Sequence, residues 1–178
     1  KVSIQGHQSI DEAVLVDQSP IGRTPRSNPA VYVGAFDAIR ELFAKTPTAR
    51  EKGYKAGHFS FNSRTGQCQH CRGVGFEKIE MQFLSDVFIQ CEECEGRRFK
   101  PQILKIKLME TGSAQLADAP RAGTKECRSW SIADMLKATV DEAIEFLQSI
   151  TDSSHAIKAC RGLQWLQQAG LGYLQLGQ

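Results

Sequence analysis

The sequence predicts an α+β fold in which helices pack with a small antiparallel hairpin braced by a tetracysteine metal site. Three features carry that prediction. The first is a pair of Cys-x-x-Cys motifs, Cys68-Gln-His-Cys71 and Cys91-Glu-Glu-Cys94, with nineteen residues between them. Two cysteines three positions apart on a tight turn aim both sulfurs at one point, and a second such turn closes a tetrahedron around a metal ion. Gly73 and Gly96 each fall two residues after a pair, where the lack of a Cβ lets the backbone bend back under the metal. The second is the stretch between the motifs. Ile79, Met81 and Phe83 alternate with Lys78, Glu80 and Gln82, Ser85-Asp86 supplies a turn, and Val87-Phe-Ile89 returns toward Cys91. That pattern predicts a half-buried strand and its partner, and such a hairpin brings the two knuckles together. The third is a set of helix-start signals on either side, at Asn28-Pro29, Ser131 to Asp134 and Thr139 to Glu142.

Spacing and matched glycines favour one zinc ion on Cys68, Cys71, Cys91 and Cys94. Four thiolates leave no open coordination position, so the expected role is structural. At 178 residues the chain can bury a real core, and its 41% hydrophobic and 24% charged content is ordinary for a globular protein. No apolar run is long enough to span a membrane, and the N-terminus lacks a signal pattern. Four of the six cysteines belong to the metal pattern, while Cys127 and Cys160 stand alone, which points to a reducing, cytoplasmic setting. Net charge is only +2, yet residues 20–107 hold fifteen Lys/Arg against nine Asp/Glu. Such a basic segment suits a polyanionic partner, and it equally offsets the negative charge of a tetrathiolate zinc.

In chain order, Ala13 to Asp17 reads as a buried strand. Gln18 to Pro29 is a loop with three prolines, and it carries Arg23 and Arg26 among hydroxyls, a composition suited to phosphate contacts. Asn28 caps a helix with Pro29 at its first position, and Phe36, Ile39, Leu42 and Phe43 recur at helical spacing. A short charged helix follows from Thr48 to Lys52 and closes at Gly53. Phe59-Ser-Phe61 predicts a short strand entering the first knuckle. After the second knuckle come Arg97, Arg98 and Lys100, and then Leu104, Ile106 and Leu108 alternating with Lys105 and Lys107, which predicts a strand with one basic face. Met109 to Trp130 breaks all periodicity and reads as an inserted surface loop. Helices resume at Ser131 and Thr139, and a further one carries Ile157, Cys160, Leu163 and Leu166 as far as Gly170, with Cys160 as a core thiol. Leu171 to Gln178 reads as a strand-like run.

Motifs for catalysis are scarce. The sequence has no phosphate loop, no nucleophile elbow and no His-Glu-x-x-His. His70, inside the first knuckle, is expected to point outward because four sulfurs already suffice. Three function classes fit the knuckles themselves: a nucleic-acid-binding module, a polypeptide-binding module like the cysteine-rich domain of Hsp40 chaperones, and a thiol-disulfide enzyme. The chaperone module usually has four such repeats and two zincs. A redox pair lacks its strand-helix context here.

A longer pattern discriminates. The string Asp17-Gln-Ser-Pro-Ile-Gly-Arg-Thr-Pro-Arg-Ser-Asn-Pro29, with Tyr32-Val-Gly34, Phe36-Asp37, Ile39-Arg40, Phe59-Ser-Phe-Asn62, both knuckles, Ile79-Glu-Met81, Gly170-Leu-Gly-Tyr173 and Leu176-Gly-Gln178, resembles the UvrA excinuclease family of bacterial nucleotide excision repair. The resemblance runs over nearly the whole chain. It implies part of the second half of a dimeric, zinc-containing ABC-class ATPase that surveys double-stranded DNA for bulky lesions and loads a UvrB-like protein. Short elements of the ATPase core then flank the hairpin region. Residues 1–19 would hold a core strand and the start of a Q-loop-like segment. Residues 20–108 would form the basic, zinc-hairpin part of a DNA-binding insertion, residues 109–130 an inserted loop, and residues 131–178 a helical return to the core.

By the same resemblance Gln18 matches the Q-loop glutamine near a bound nucleotide, and ATP and magnesium belong only to the complete parent. The chain starts after the expected phosphate loop and stops before the expected Leu-Ser-Gly-Gly-Glu signature, so it is expected not to hydrolyse ATP alone. Arg23 and Arg26 are the first candidates for phosphate contact, with Arg97, Arg98 and Lys100 next. Two departures, the long Met109–Trp130 segment and Leu84-Ser-Asp86 in place of Leu-Pro-Asp, also admit a UvrA-like paralogue with a different role.

Overall fold

Asn28 starts the first described helix, as the sequence predicts. In the computed structural model, which describes residues 12, 24, 26–110, 128–150 and 153–178, its side chain accepts the Val31 N–H at 2.9 Å and caps α1 (Pro29–Tyr32). The predicted long helix is broken after one turn. Val33 and Gly34 interrupt it, Gly34 at φ 70°, and α2 (Ala35–Ala44) starts afresh with Phe36, Ile39, Leu42 and Phe43 buried. Gly162 sits against the break, where a Cβ would lie 3.0 Å from the Val33 carbonyl oxygen. Thr46 caps α3 (Pro47–Glu51), and Gly53 at φ 66° ends that segment.

Phe59 and Phe61 do not form the predicted strand. Ala56–Phe59 is a 3-10 turn, and the chain through Ser60 delivers both phenylalanines to the core. Phe59 packs on Phe43 with ring centres 5.5 Å apart, and Phe61 lies between Phe36 (5.1 Å) and Phe99 (6.2 Å). Two apolar residues separated by one polar residue read as strand in sequence, whereas the turn satisfies the same burial without a β ladder.

The hairpin between the knuckles is present and shorter than predicted. β1 (Phe76–Ile79) pairs antiparallel with β2 (Val87–Gln90), Phe76 opposite Gln90 and Ile79 opposite Val87. Met81 and Phe83 lie beyond the strand, and Phe83 is 95% exposed. The expected half-burial is therefore corrected: Phe76 is half-buried, but Ile79, Val87, Phe88 and Ile89 are all exposed.

The predicted strand over Leu104 to Leu108 is also corrected. Pro101 opens a helical turn, α4 (Pro101–Leu104), and only Lys107–Met109 (β3) is extended. Ile103, Ile106 and Leu108 point inward, with Lys105 and Lys107 outside or at the edge. β3 pairs antiparallel with β4 (Ser129–Ser131), so the segment between them connects two paired strands. Trp130 stacks on Phe146 at 4.2 Å with planes 5° apart.

Both predicted capping boxes close. Ser131 and Asp134 start α5 (Ile132–Lys137), and Thr139 and Glu142 start α6 (Val140–Ser149). The Glu142 carboxylate accepts the Thr139 N–H at 2.8 Å, which holds its pKa below the usual range. Thr139→Ala should cost about 1 kcal/mol, read as a lower urea midpoint. Because the Glu142 pKa is depressed on folding, its share of the cap is present above the usual carboxylate pKa and fades as pH falls through the folded value.

Helix α7 (Ser154–Gln168) buries Cys160, Leu163 and Leu166 as predicted and lies against α2 and α6, but Ile157 is on its outer face, 61% exposed. The final residues are turns with a single bridge, Thr139 to Gln175, where a strand-like run is expected. They still tie the fold together: the Leu176 N–H donates to Ala138 O, the Leu176 carbonyl accepts the Ala30 N–H, and the Gly177 N–H donates to Leu136 O. One core thus joins α1 and α2, the phenylalanines around the first knuckle, α4 and β3, and α5 to α7. The four metal-motif cysteines form a second, separate buried cluster. The predicted Ala13–Asp17 strand, Gln18, Arg23, Cys127 and most of the 109–130 loop lie outside the described residues.

Candidate metal centre

Each knuckle turns by the same local geometry. After Cys71 the chain enters the left-handed region at Arg72 (φ 52°) and Gly73 (φ 83°), and after Cys94 at Glu95 (φ 48°) and Gly96 (φ 74°). Two consecutive left-handed residues reverse the chain under the sulfur. The reversal is fixed by the Val74 N–H on Cys71 O in the first knuckle and the Arg97 N–H on Cys94 O in the second. Four residues after each second cysteine, at Gly75 and Arg98, φ is positive again (90° and 69°). The carbonyls of these two residues cross over: Cys91 N–H donates to Gly75 O at 3.1 Å, and Cys68 N–H donates to Arg98 O at 2.8 Å. The knuckles are therefore related by a local twofold, each holding the first cysteine of the other.

This brings all four Sγ atoms within 4.8 Å of one another, all buried, with Cys71 and Cys94 Sγ 3.6 Å apart and no disulfide among them. A tetrahedral ion with metal–sulfur bonds of about 2.3 Å separates its sulfurs by about 3.8 Å, so the set fits a four-thiolate metal ion. Gly75 N–H donates to Cys71 Sγ at 3.2 Å, the kind of backbone donor that supports a thiolate. Burial pushes the Cys94 thiol up to about 12 and also raises Cys68. For Cys91 burial also acts upward, but hydrogen bonds from the Cys94 and Glu93 backbone and from neighbouring sulfurs outweigh it and leave the thiol below its ordinary value. Cys68 and Cys94 thus resist losing their protons without a cation to hold them as thiolates.

His70 is exposed, its Nε2 2.8 Å from Glu77 Oε1, but it does not turn away from the site as expected: a ring nitrogen, the Glu77 carboxylate and Cys91 Sγ lie within 4.8 Å of one another. The predicted basic residues separate into distinct placements. Arg26 is exposed, and its guanidinium donates to Arg72 O at 3.0 Å, so this residue reaches the first knuckle directly. With its amide turned to donate, Gln67 reaches the same Arg72 carbonyl and Phe61 O, both at 3.2 Å. Arg97 pairs with Glu95 at 2.8 Å and reaches Cys94 O, and Lys100 donates to Arg64 O at 2.9 Å. Arg98 turns inward. Its guanidinium lies 5.5 Å from the centre of the Phe61 ring and donates to Gly177 O at 3.0 Å. Burial lowers its pKa, and the thiolates of Cys71 and Cys94 act the other way.

Sequence reasoning missed this bracing role of Arg98. The available signal was its register, since it stands in the second knuckle where Gly75 stands in the first. A shallow cleft of about 430 Å³ beside the first knuckle is lined by Thr24, Arg26, Ser27, Asn28, Val31, Tyr32 and Asn62.

No family model matches the chain. Curated relatives do. The chain is 47% identical over 175 residues to the UvrABC system protein A of Methanothermobacter thermautotrophicus, covering 98% of this chain and 16% of that protein. It is 45% identical over 176 residues to that of Thermus thermophilus, covering 99% of this chain and 16% of that protein. Among solved structures, UvrA2 from Deinococcus radiodurans superposes with a TM-score of 0.73 at 42% identity, over 92% of this chain and 17% of that one. The chain spans about one-sixth of the length of the relatives it matches, and over that stretch it belongs to the UvrABC system protein A family.

Proposed function

We propose that this chain is the zinc-stabilised, DNA-binding part of a UvrA-like damage-recognition ATPase acting in nucleotide excision repair. The observation that carries the reading is identity of 45–47% along nearly the whole chain to two UvrABC system proteins A. The metal is zinc, one ion in a structural role, because four thiolates close its coordination. Residues 20–108 form the insertion that meets DNA, residues 109–130 an inserted segment whose two ends pair in β3 and β4, and residues 1–19 and 131–178 the links to an ATPase core. In the complete parent Gln18 faces bound ATP and magnesium, the parent works as a homodimer with a UvrB-like protein, and the setting is cytoplasmic. No helix among the described residues is long and apolar enough to cross a membrane.

The DNA contact is to the backbone of a damaged duplex. Arg26 beside the first knuckle supports this, since it joins the hydroxyl-rich loop and the metal module into one polar surface. Phosphate contacts position a protein without reading sequence, and a lesion can be sensed through the ease with which the duplex deforms. Arg23 and Arg26 lead this set, with Arg97 and Lys100 at its margin. Arg98 serves the fold instead, through Phe61 and Gly177.

Arg23→Ala with Arg26→Ala should weaken duplex binding in fluorescence anisotropy. It should also flatten the dependence of log affinity on log salt by about 0.9 for each phosphate that is no longer neutralised, with zinc content and circular dichroism unchanged. Binding that keeps its strength and salt slope would remove these arginines from the interface. Arg98→Ala should lower the unfolding midpoint and leave the salt slope in place. A paralogue with a shifted role is the second reading, favoured by Ser85 where the family pattern expects proline.

A further inference from the structure

The β1–β2 hairpin carries none of the four cysteines and none of the arginines assigned to phosphate above. Its register puts Ile79, Val87 and Ile89 on one face, each exposed, and the tip beyond carries Phe83 and Leu84, 95% and 73% exposed. On the opposite face Phe76 and Phe88 meet edge to face with ring centres 5.2 Å apart, and Phe88 is itself 59% exposed. A two-stranded hairpin is marginal by itself. This one is anchored at its base, where Gly75 and Cys91 are hydrogen-bonded across the knuckles. Holding so much apolar surface in water on a fixed arm is unfavourable unless something covers it, and contiguous exposed apolar surface marks interaction sites.

Charge says what kind of surface covers it. The hairpin lies within a segment that is basic as a whole, but from Phe76 to Gln90 it holds one lysine against Glu77, Glu80 and Asp86. That lysine, Lys78, is paired with both Glu80 (3.1 Å) and Asp86 (2.8 Å). Phosphates are repelled from such a surface, and so is a second hairpin of the same charge.

We propose that this hairpin is a protein-docking arm, and that its partner presents an apolar surface rimmed by lysine or arginine. Both outer strand edges are unpaired among the described residues, so such a partner can add a strand to the ladder and cover the Ile79–Val87–Ile89 face at once. The inference does not depend on the phosphate contacts of Arg23 and Arg26, which lie outside the hairpin.

The test uses the full zinc-loaded chain and three labelled probes. Two are short peptides sharing one apolar centre, flanked by lysines in one and by glutamates in the other, and the third is a DNA duplex. The lysine-flanked peptide should bind at least about tenfold more tightly than the glutamate-flanked one. Phe83→Ser with Leu84→Ser should weaken it by about tenfold or more, as should Glu80→Lys with Asp86→Lys. Zinc content and circular dichroism should hold in both variants, and duplex affinity should hold in the Phe83/Leu84 variant. Equal or absent binding of the two peptides overturns the proposal. Loss of duplex affinity in the Phe83/Leu84 variant would make the hairpin a nucleic-acid arm instead. Self-association in sedimentation, abolished by that variant, would make the partner a second copy.

Discussion

Stripping the metal from the four cysteines is expected to unfold both knuckles and the hairpin while leaving the helical core in place. Residues 62–98 contain the four metal-motif cysteines as a buried cluster of their own, separate from the main core. Their backbone includes Arg72, Glu95 and Arg98 in the left-handed region, a conformation that costs each side chain about 1–2 kcal/mol, and the hairpin buries almost nothing. Set against this is metal binding, about 10–16 kcal/mol for structural zinc in small peptides at neutral pH, which acts as folding energy where no site pre-exists.

Limited proteolysis after chelation should therefore open cleavage sites throughout residues 62–98. Protection should persist outward from Phe59, Phe61, Phe99 and Ile103, because these side chains belong to the main core. Cys91→Ser should reproduce the pattern. A protease map unchanged by both treatments would show that the site is not structural. The pH dependence follows from the thiols. Burial raises Cys68 and takes Cys94 to about 12, so in the metal-free state they keep their protons at neutral pH. The ion must displace those protons, hence retention should rise with pH and fall on acidification.

The local twofold explains which parts of this fold are legible in sequence. Ligand identity needs only spacing and glycine offsets, both linear patterns, so Cys68, Cys71, Cys91 and Cys94 can be read directly. Helix starts are legible for the same reason, since a cap satisfies orphan N–H groups within four residues: Asn28, Ser131 and Thr139 all accept the expected bonds. Short apolar alternations are not. Phe59–Phe61 and Leu104–Leu108 show the period of a strand, but each has only two or three apolar residues to place, and a 3-10 turn or a proline-started helical turn buries them equally well. The break at Gly34 depends on α7 packing against it at Gly162, a contact across more than a hundred residues that local pattern does not encode. Arg98 reads as surface charge because arginine usually is. Its inward course depends on Phe61 and Gly177, distant in sequence, and on a backbone turn whose partner position holds glycine.

The same twofold yields a sharp contrast between two glycines that sequence treats as equivalent. Gly73 and Gly96 stand at matching positions with similar φ, 83° and 74°, so replacing either by alanine incurs the left-handed penalty of about 1 kcal/mol. Their surroundings differ. A Cβ on Gly96 would meet the Gln90 amide nitrogen at 2.8 Å, the far end of a side chain that can swing away. A Cβ on Gly73 would fall 1.9 Å from the Phe61 carbonyl oxygen, and that backbone is held by the Phe61 ring, wedged between Phe36 and Phe99. Relief requires moving either the first knuckle or the aromatic core. Gly96→Ala should thus destabilise the metal-loaded chain by about 1 kcal/mol, and Gly73→Ala by roughly 4 kcal/mol or more, in the range that marks a steric fault in the folded backbone. Denaturant midpoints of the two zinc-loaded variants, measured side by side, decide the matter. Equal losses would mean that the first knuckle does not rest on Phe61 as this structure has it. A larger loss for Gly73 would tie the metal site mechanically to the aromatic core and, through Arg98, to the last turn of the chain.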